Sequence, residues 1–287
     1  MTPRRDGALV VDKPSGLTSH DVVARVRRIL EVKAGHTGTL DPLATGVLPL
    51  LLGKATRLMR FYVGEDKVYD AEIRLGLATE TYDSEGAATS VKPVPELTSE
   101  QARLALAGFL GVQEQLPPMH SAVKVAGQPL YKAARRGEVV ARKPRRIEIH
   151  SLELLSKRKS DWKIRIHCST GTYVRSLAHD LGERIGCGAH LSGLRRLRSG
   201  PFDLSRAVAL DEVATLGPAR ILPIERLLPQ FPALQLDDQQ STRIRHGNAI
   251  PITNPGDRFR LFSEGRLLAL AERRGDAAAP IVVFESA

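Results

Sequence analysis

Lys67-Val68-Tyr69-Asp70-Ala71-Glu72-Ile73-Arg74-Leu75 alternates strictly, with Tyr69, Ala71, Ile73 and Leu75 on one face and Asp70, Glu72 and Arg74 on the other. A period of two is that of a strand with one face buried and one in water. The same pattern returns at 146–154 and at 162–168, where Trp162, Ile164, Ile166 and Cys168 share a face. Between and around these strands lie helical patterns that never settle into regular βαβ alternation. The fold class expected is therefore α+β, with a mixed, largely antiparallel sheet.

Working toward the N-terminus, residues 8–12 read as a short buried strand ending at Lys13-Pro14. Ser19 is then expected to cap a helix whose apolar positions Val22, Val23, Val26, Ile29 and Leu30 recur at helical spacing. Residues 35–46 form a loop rich in Gly and Thr, and 53–62 a helix. Toward the C-terminus, Thr98 and Gln101 make a capping-box pattern opening a helix that runs to Leu110. Residues 115–143 are irregular and basic, helical only around 130–136, and look inserted. A helix from Thr172, with Leu177, Leu181 and Ile185 inward, closes at Gly186 and Gly188, and a strand follows at 189–197. Pro218, Pro223, Pro229 and Pro232 mark a linker, beyond which short strands with glycine turns fill the chain. This divides it into residues 1–232 and a small β-rich module at 233–287.

No apolar run among the 287 residues reaches the roughly 18 that a membrane span requires, and the first residues hold too short an apolar stretch for a secretion signal. The expectation is a cytoplasmic protein, with Cys168 and Cys187 as free thiols. The net charge of +10 is unevenly placed. Residues 233–287 carry seven Arg and seven acidic groups, whereas 121–146 hold Lys124, Lys132, Arg135, Arg136, Arg142, Lys143, Arg145 and Arg146 against Glu138 alone. That is the footprint of a polyanion partner, and the plain alternative is a solvated face serving solubility. His120 and Tyr131 among the charges favour RNA.

The chemistry is concentrated in Gly35-His36-Thr37-Gly38-Thr39-Leu40-Asp41-Pro42-Leu43-Ala44-Thr45-Gly46-Val47-Leu48. By itself, Asp41 before Pro42 reads as a helix N-cap with proline at the first helical position. The glycines also let backbone approach a ligand closely. This run resembles the catalytic loop of the TruB family, the stand-alone synthases that make pseudouridine at position 55 of tRNA. Val11-Asp12-Lys13-Pro14-Ser15-Gly16, Lys67-Val68-Tyr69, Met119-His120-Ser121-Ala122-Val123-Lys124, Cys168-Ser169-Thr170-Gly171-Thr172-Tyr173-Val174-Arg175-Ser176-Leu177, Gly186-Cys187-Gly188-Ala189-His190 and Leu194-Arg195-Arg196-Leu197 match in the same order.

The resemblance implies a pseudouridine synthase catalytic domain over 1–232, with an inserted basic thumb at about 115–146, and a small PUA-like β-barrel at 233–287. It implies that Asp41 is the essential carboxylate, paired with Arg175, which is expected to lower its pKa. Tyr69 would stack on the extruded uracil, Tyr173 and Leu194 would line its pocket, His36 would fill the space the base leaves, and Lys13 would support the loop. Lys124, Lys132, Arg135, Arg136, Arg142 and Lys143 would grip the backbone of the tRNA T-stem-loop. The reaction needs no cofactor and no metal, and the enzyme is expected to work as a monomer with no obligatory protein partner and no membrane; assistance to tRNA folding would accompany catalysis.

Other readings compete. A guide-dependent synthase of the archaeal and eukaryotic nucleolar type shares the Asp loop, and an RNA-binding or tRNA-folding protein would not need the chemistry. A metal hydrolase would have to use His167, Cys168, Cys187 and His190, of which His167 and Cys168 point to opposite faces of one strand. A glycoside hydrolase would need a second carboxylate paired with Asp41, and the loop offers none.

Overall fold

The computed structural model describes residues 5–119, 121, 124, 125, 128–130, 136, 138 and 140–285. The chain runs through β1 (Gly7–Lys13), α1 (Ser19–Leu30), β2 (Ala34–His36), β3 (Thr45–Leu52), a 3-10 helix (Gly53–Phe61), β4 (Lys67–Leu75), β5 (Leu77–Thr79), β6 (Ala88–Val91), α2 (Ser99–Ala107) and β7 (Gly111–Gln115). The short pair β8 (Lys124–Val125) and β9 (Gln128–Pro129) precedes β10 (Arg145–Arg158), β11 (Asp161–Cys168), α3 (Val174–Ile185) and β12 (Ala189–Ser199). Three short strands, β13 (Phe202–Asp203), β14 (Ala207–Ala209) and β15 (Leu222–Pro223), lead to β16 (Ala233–Gln235), α4 (Asp238–Arg245), β17 (Ile250–Pro251), β18 (Arg258–Ser263), β19 (Arg266–Arg274) and β20 (Ala277–Val283).

An 11-stranded sheet carries the fold, in the order β14-β1-β3-β12-β4-β11-β10-β7, with β15, β2 and β13 added beside β1, β3 and β12. Its pairs are antiparallel except β1 with β14 and β3 with β12, so the mixed, largely antiparallel sheet stands. The alternation in β4 and β11 does what it predicts. Tyr69, Ala71, Ile73, Trp162, Ile164, Ile166 and Cys168 all enter one core with α1, α2 and α3. β3, in contrast, is buried along Gly46 to Leu52 on both faces, with Leu48, Leu50 and Leu52 in that core and Val47 and Leu51 in a second one. A strand covered on both sides reads as a continuous apolar run, so period-two reasoning could not assign it.

Local signals held at α2, where Thr98 and Gln101 form the expected capping box, although the helix stops at Ala107. At α1 the cap is Thr18, which shares a capping box with Asp21, and not Ser19. Residues 53–61 are helical but wound as 3-10. Of the helix expected around 130–136, residues 131–135 lie outside the described residues.

The C-terminal strands form an open sheet of five, in the order β16-β18-β19-β20-β17. A closed barrel was expected here. Its two edges are strands of three and two residues that do not pair, and the Asp237-capped helix α4, absent from the sequence reading, packs Ile244 against β17, β19 and β20. Phe262, Leu267, Leu270 and Val282 of this sheet, with Phe284 just beyond it, join Leu58, Tyr62, Phe202 and Ile224 in the second core, so the sheet leans on the 3-10 helix.

Candidate active site

No helix begins at Asp41. After β2, residues 37–44 form a loop that closes in a tight turn, the Ala44 amide donating to the Asp41 carbonyl at 3.1 Å, and β3 follows at once. The N-cap reading of Asp41-Pro42 is thereby overturned. The loop is instead clamped from three sides. Lys13, at the end of β1 and 0% exposed, donates to the carbonyls of Pro14 (2.8 Å), Pro42 (3.1 Å) and Ala44 (2.7 Å). Ser19, the first residue of α1, both donates to the Leu40 carbonyl and accepts from the Leu40 amide. Arg196 of β12, 1% exposed, spends its guanidinium on the carbonyls of Val47 (2.7 Å), Thr39 (3.3 Å) and Gly38 (3.0 Å). Gly46 sits at φ +101°, and a Cβ there would lie 2.2 Å from the Arg196 carbonyl, so a side chain would push β3 off β12.

Burial pushes the Lys13 ammonium down to about 8, which leaves it charged at neutral pH with all three N–H donors engaged. Lys13→Met strands three carbonyls and is expected to cost roughly 2–3 kcal/mol of stability, read by urea unfolding, with a lower kcat. A loss smaller than 0.5 kcal/mol or so would show that the lysine does not hold the loop.

The clamped loop presents Asp41 to a cavity of about 590 Å³ whose walls include His36, Tyr69, Tyr173, Arg175 and Leu194. Lys13 stands behind the loop, outside the cavity lining. Arg175 enters from the first turn of α3, its Nε 2.9 Å from Asp41 Oδ2 and its Nη2 3.2 Å from Oδ1, the two-point fit of guanidinium to carboxylate. The same guanidinium reaches Asp83 Oδ2 through Nη1 at 3.1 Å. Asp83 is 3% exposed, and it is further fixed by Thr81 Oγ1 and the Glu85 amide, which donate to its Oδ1. Tyr82 beside it adopts φ +64°, a left-handed conformation costly for a side chain with a Cβ, and its ring stacks on His179 of α3 at 3.9 Å.

The Asp83 contact alters the electrostatics. Asp41 titrates above the ordinary carboxylate value of 3.8, with burial the largest cause, the Arg175 pair opposing it and the Asp83 charge adding to it. The expectation that Arg175 depresses the Asp41 pKa is therefore corrected: one guanidinium divided between two acids does not offset burial. Burial also raises Tyr69 and Tyr173 and lowers His36, whose ring is thus neutral at pH 7. Tyr173 is placed by Gln115 of β7, which accepts from its amide at 2.7 Å and donates to its carbonyl at 3.0 Å.

Asp83, Arg196, Glu85 and Lys67 also line the cavity and were not singled out from the sequence. The four residues of the hydrolase alternative do not assemble. Cys168 pairs with Lys67 and Ala189 with Leu75, at opposite ends of β4 and thus roughly 26 Å apart. Of the basic segment, Arg136 is bound by Glu138 at 2.7 and 2.9 Å, Arg142 donates to the Pro117 carbonyl at 2.9 Å, and Lys143 is exposed. Lys132, Arg135 and the side chain of Lys124 lie outside the described residues.

Family models match the chain almost end to end: TruB family pseudouridylate synthase (N terminal domain) over 27–174, tRNA pseudouridylate synthase B C-terminal domain over 175–228, and tRNA Pseudouridine synthase II, C terminal, over 231–285. The chain belongs to the TruB family of pseudouridylate synthases. It is 44% identical to tRNA pseudouridine synthase B of Solibacter usitatus, over 96% of this chain and 94% of that one. With tRNA pseudouridine synthase B of Aromatoleum aromaticum it shares 47% identity over 94% and 90% of the two chains. A chain of an H/ACA ribonucleoprotein bound to a substrate RNA containing 2′-deoxyuridine is similar in structure, with a TM-score of 0.73 at 26% identity, covering 98% of this chain and 85% of that one. The higher identities lie with the bacterial TruB proteins, so the chain is a TruB enzyme of the bacterial type. Among the described residues no helix is long and apolar enough to cross a membrane.

Proposed function

We propose that this enzyme converts the uridine at position 55 in the T-loop of tRNA into pseudouridine, with Asp41 as its essential carboxylate. The observation that carries this reading is the Asp41–Arg175–Asp83 array at the wall of a cavity that also contains two tyrosines and a leucine. The target base is extruded from the RNA and held against Tyr69, with Tyr173 and Leu194 completing the slot and His36 filling the gap in the stem. Extrusion is favoured because a neutral imidazole and apolar walls replace stacking without introducing an unpaired charge.

The bond between N1 and the sugar then breaks, the uracil turns, and C5 joins the sugar carbon, its proton leaving as N1 takes one up. Atoms balance within the nucleoside, so neither oxidant nor water is consumed, and the chemistry calls for no cofactor. Asp41 serves either as nucleophile toward sugar or base or as acceptor of a sugar proton. Both roles need it ionised and aimed; the two-point Arg175 contact aims it and opposes the burial that favours its neutral form.

Residues 1–232 make up the catalytic domain in this reading, and the basic thumb at about 115–146 holds the T-stem-loop through its phosphates. The segment 233–287 is a second, smaller module whose balanced charge adds little long-range attraction. The enzyme works as a monomer in the cytoplasm. Replacing Arg142 and Lys143 by Ala should weaken tRNA binding and flatten the slope of log K against log salt by roughly 0.7–0.9 per lost phosphate contact. An unchanged slope would assign both side chains to a solvated face. The deciding assay incubates purified protein with an unmodified tRNA transcript and maps pseudouridine by a base-specific chemical stop; a transcript left unmodified without a guide RNA overturns the reading.

A further inference from the structure

A second group of reactive side chains lies on the solvent face of the large sheet, outside the catalytic cavity. Asp66, just before β4, places Oδ2 3.1 Å from Nε2 of His150 on β10 and 3.7 Å from Nε2 of His167 on β11. One donor atom from each residue lies within 4.8 Å of the others, and the two imidazole centroids are 4.7 Å apart. The gathering depends on an irregularity. Ile149 pairs with Cys168 and Ser151 with His167, so His150 is the extra residue of a β-bulge, a device that re-aims a side chain.

The outer contacts orient the rings. Glu148 Oε1 is 3.5 Å from His150 Nδ1, which places a carboxylate behind the ring and turns Nε2 toward Asp66. A carboxylate in that position is the usual support of a metal-ligating histidine. Arg198 Nη2 lies 3.1 Å from His167 Nε2, and since guanidinium only donates, that nitrogen presents its lone pair. Two imidazole nitrogens and one carboxylate oxygen suit a borderline divalent cation, while Mg²⁺ and Ca²⁺ prefer all-oxygen sites. With side-chain exposures of 29%, 31% and 45% for His150, His167 and Asp66, the group is open to an ion carrying its own water.

We propose that Asp66, His150 and His167 form a binding site for one divalent transition-metal cation of the zinc class. Arg198 is its gate: exposed, and able to swing away, it holds the His167 lone pair until an ion replaces it. The site adjoins the cleft, because the Ser169 amide donates to the Glu148 carbonyl, the Glu148 amide donates to Ser169 Oγ, and Ser169 lines the cavity. A bound ion would therefore stiffen the cleft rim.

The test is calorimetric titration of the full, untagged chain with ZnCl₂, repeated with Co²⁺ to read ligand geometry from its visible absorption. Binding of one equivalent at about 10 µM or tighter is expected, with His150→Gln or His167→Gln weakening it about 10- to 100-fold and excess MgCl₂ failing to displace it. Arg198→Ala should tighten binding severalfold, a result that non-specific histidine binding would not give. Circular dichroism of each variant confirms that its fold is intact. The proposal fails if the parent chain binds no zinc below about 1 mM, or if both histidine variants bind as the parent does; an ordinary cluster of polar surface contacts among Asp66, Glu148 and His150 would then account for the geometry.

Discussion

Asp41→Asn should lower pseudouridine formation by at least about a thousandfold, roughly 4 kcal/mol of transition-state stabilisation, while tRNA affinity stays within about tenfold. The exchange keeps the shape of the side chain and removes what the reaction uses, since an amide neither attacks carbon nor takes a proton at neutral pH. Arg175 keeps its Asp83 partner, so α3 and the cavity wall stay in place. Tritium release from C5-labelled uridine under single-turnover conditions measures the loss, and filter binding measures affinity. Stability provides a separate readout. An acid that titrates higher in the folded chain than in the unfolded one favours folding at low pH, and that advantage is lost as pH rises through the folded value. At pH 7 the ionised Asp41 is therefore a burden, and the Asn variant should have a Tm equal to or above that of the parent. Turnover surviving in this variant would remove Asp41 from the chemistry.

Asp83→Asn should lower kcat about 10- to 100-fold with a much smaller change in KM, because the residue acts through Arg175 and does not stand in the path of the bond being broken. The pH profile carries the sharper sign. In the proposed mechanism activity requires ionised Asp41 and is expected to fall as pH drops through its pKa, which lies above 3.8 in the parent. Burial sets that elevation, and the Asp83 charge adds to it. Neutralising Asp83 removes the repulsion and leaves Arg175 to Asp41 alone, so the acid limb should move to lower pH. A limb that stays in place, or moves up, would show that the two carboxylates are not coupled.

Much of this is legible in the sequence. Strands with one wet face announce themselves by period two, and β4, β10 and β11 were found for that reason. β3, covered on both faces by separate cores, lost the period and was passed over. The loop at 35–48, with its ordered companions, led to the family and to seven residues that the fold does bring together at or behind one cavity, Asp41, Arg175, Tyr69, Tyr173, His36, Leu194 and Lys13. Asp83 was missed because Thr81-Tyr82-Asp83-Ser84 is, as a sequence, an ordinary polar turn; its distinction is a long-range contact 92 residues away. Arg196 was hidden differently. Bulges between Leu191 and Gly193 and between Arg196 and Arg198 shift which side chains of β12 face inward, so alternation along that strand does not mark the arginine as buried. The helix cap assigned to Asp41 and Pro42 was a local rule that tertiary clamping by Lys13, Ser19 and Arg196 overrode.

The apolar seam between the terminal sheet and the 3-10 helix makes the last fifth of the chain a keystone. Without it Leu58, Tyr62 and Phe202, which also pack with Val47 and Leu51, would lose part of their apolar cover. A shortened enzyme would expose that seam, so a loss of stability is expected beside any loss of grip on RNA. Low activity in such a truncation would report on architecture, and affinity would have to be measured separately.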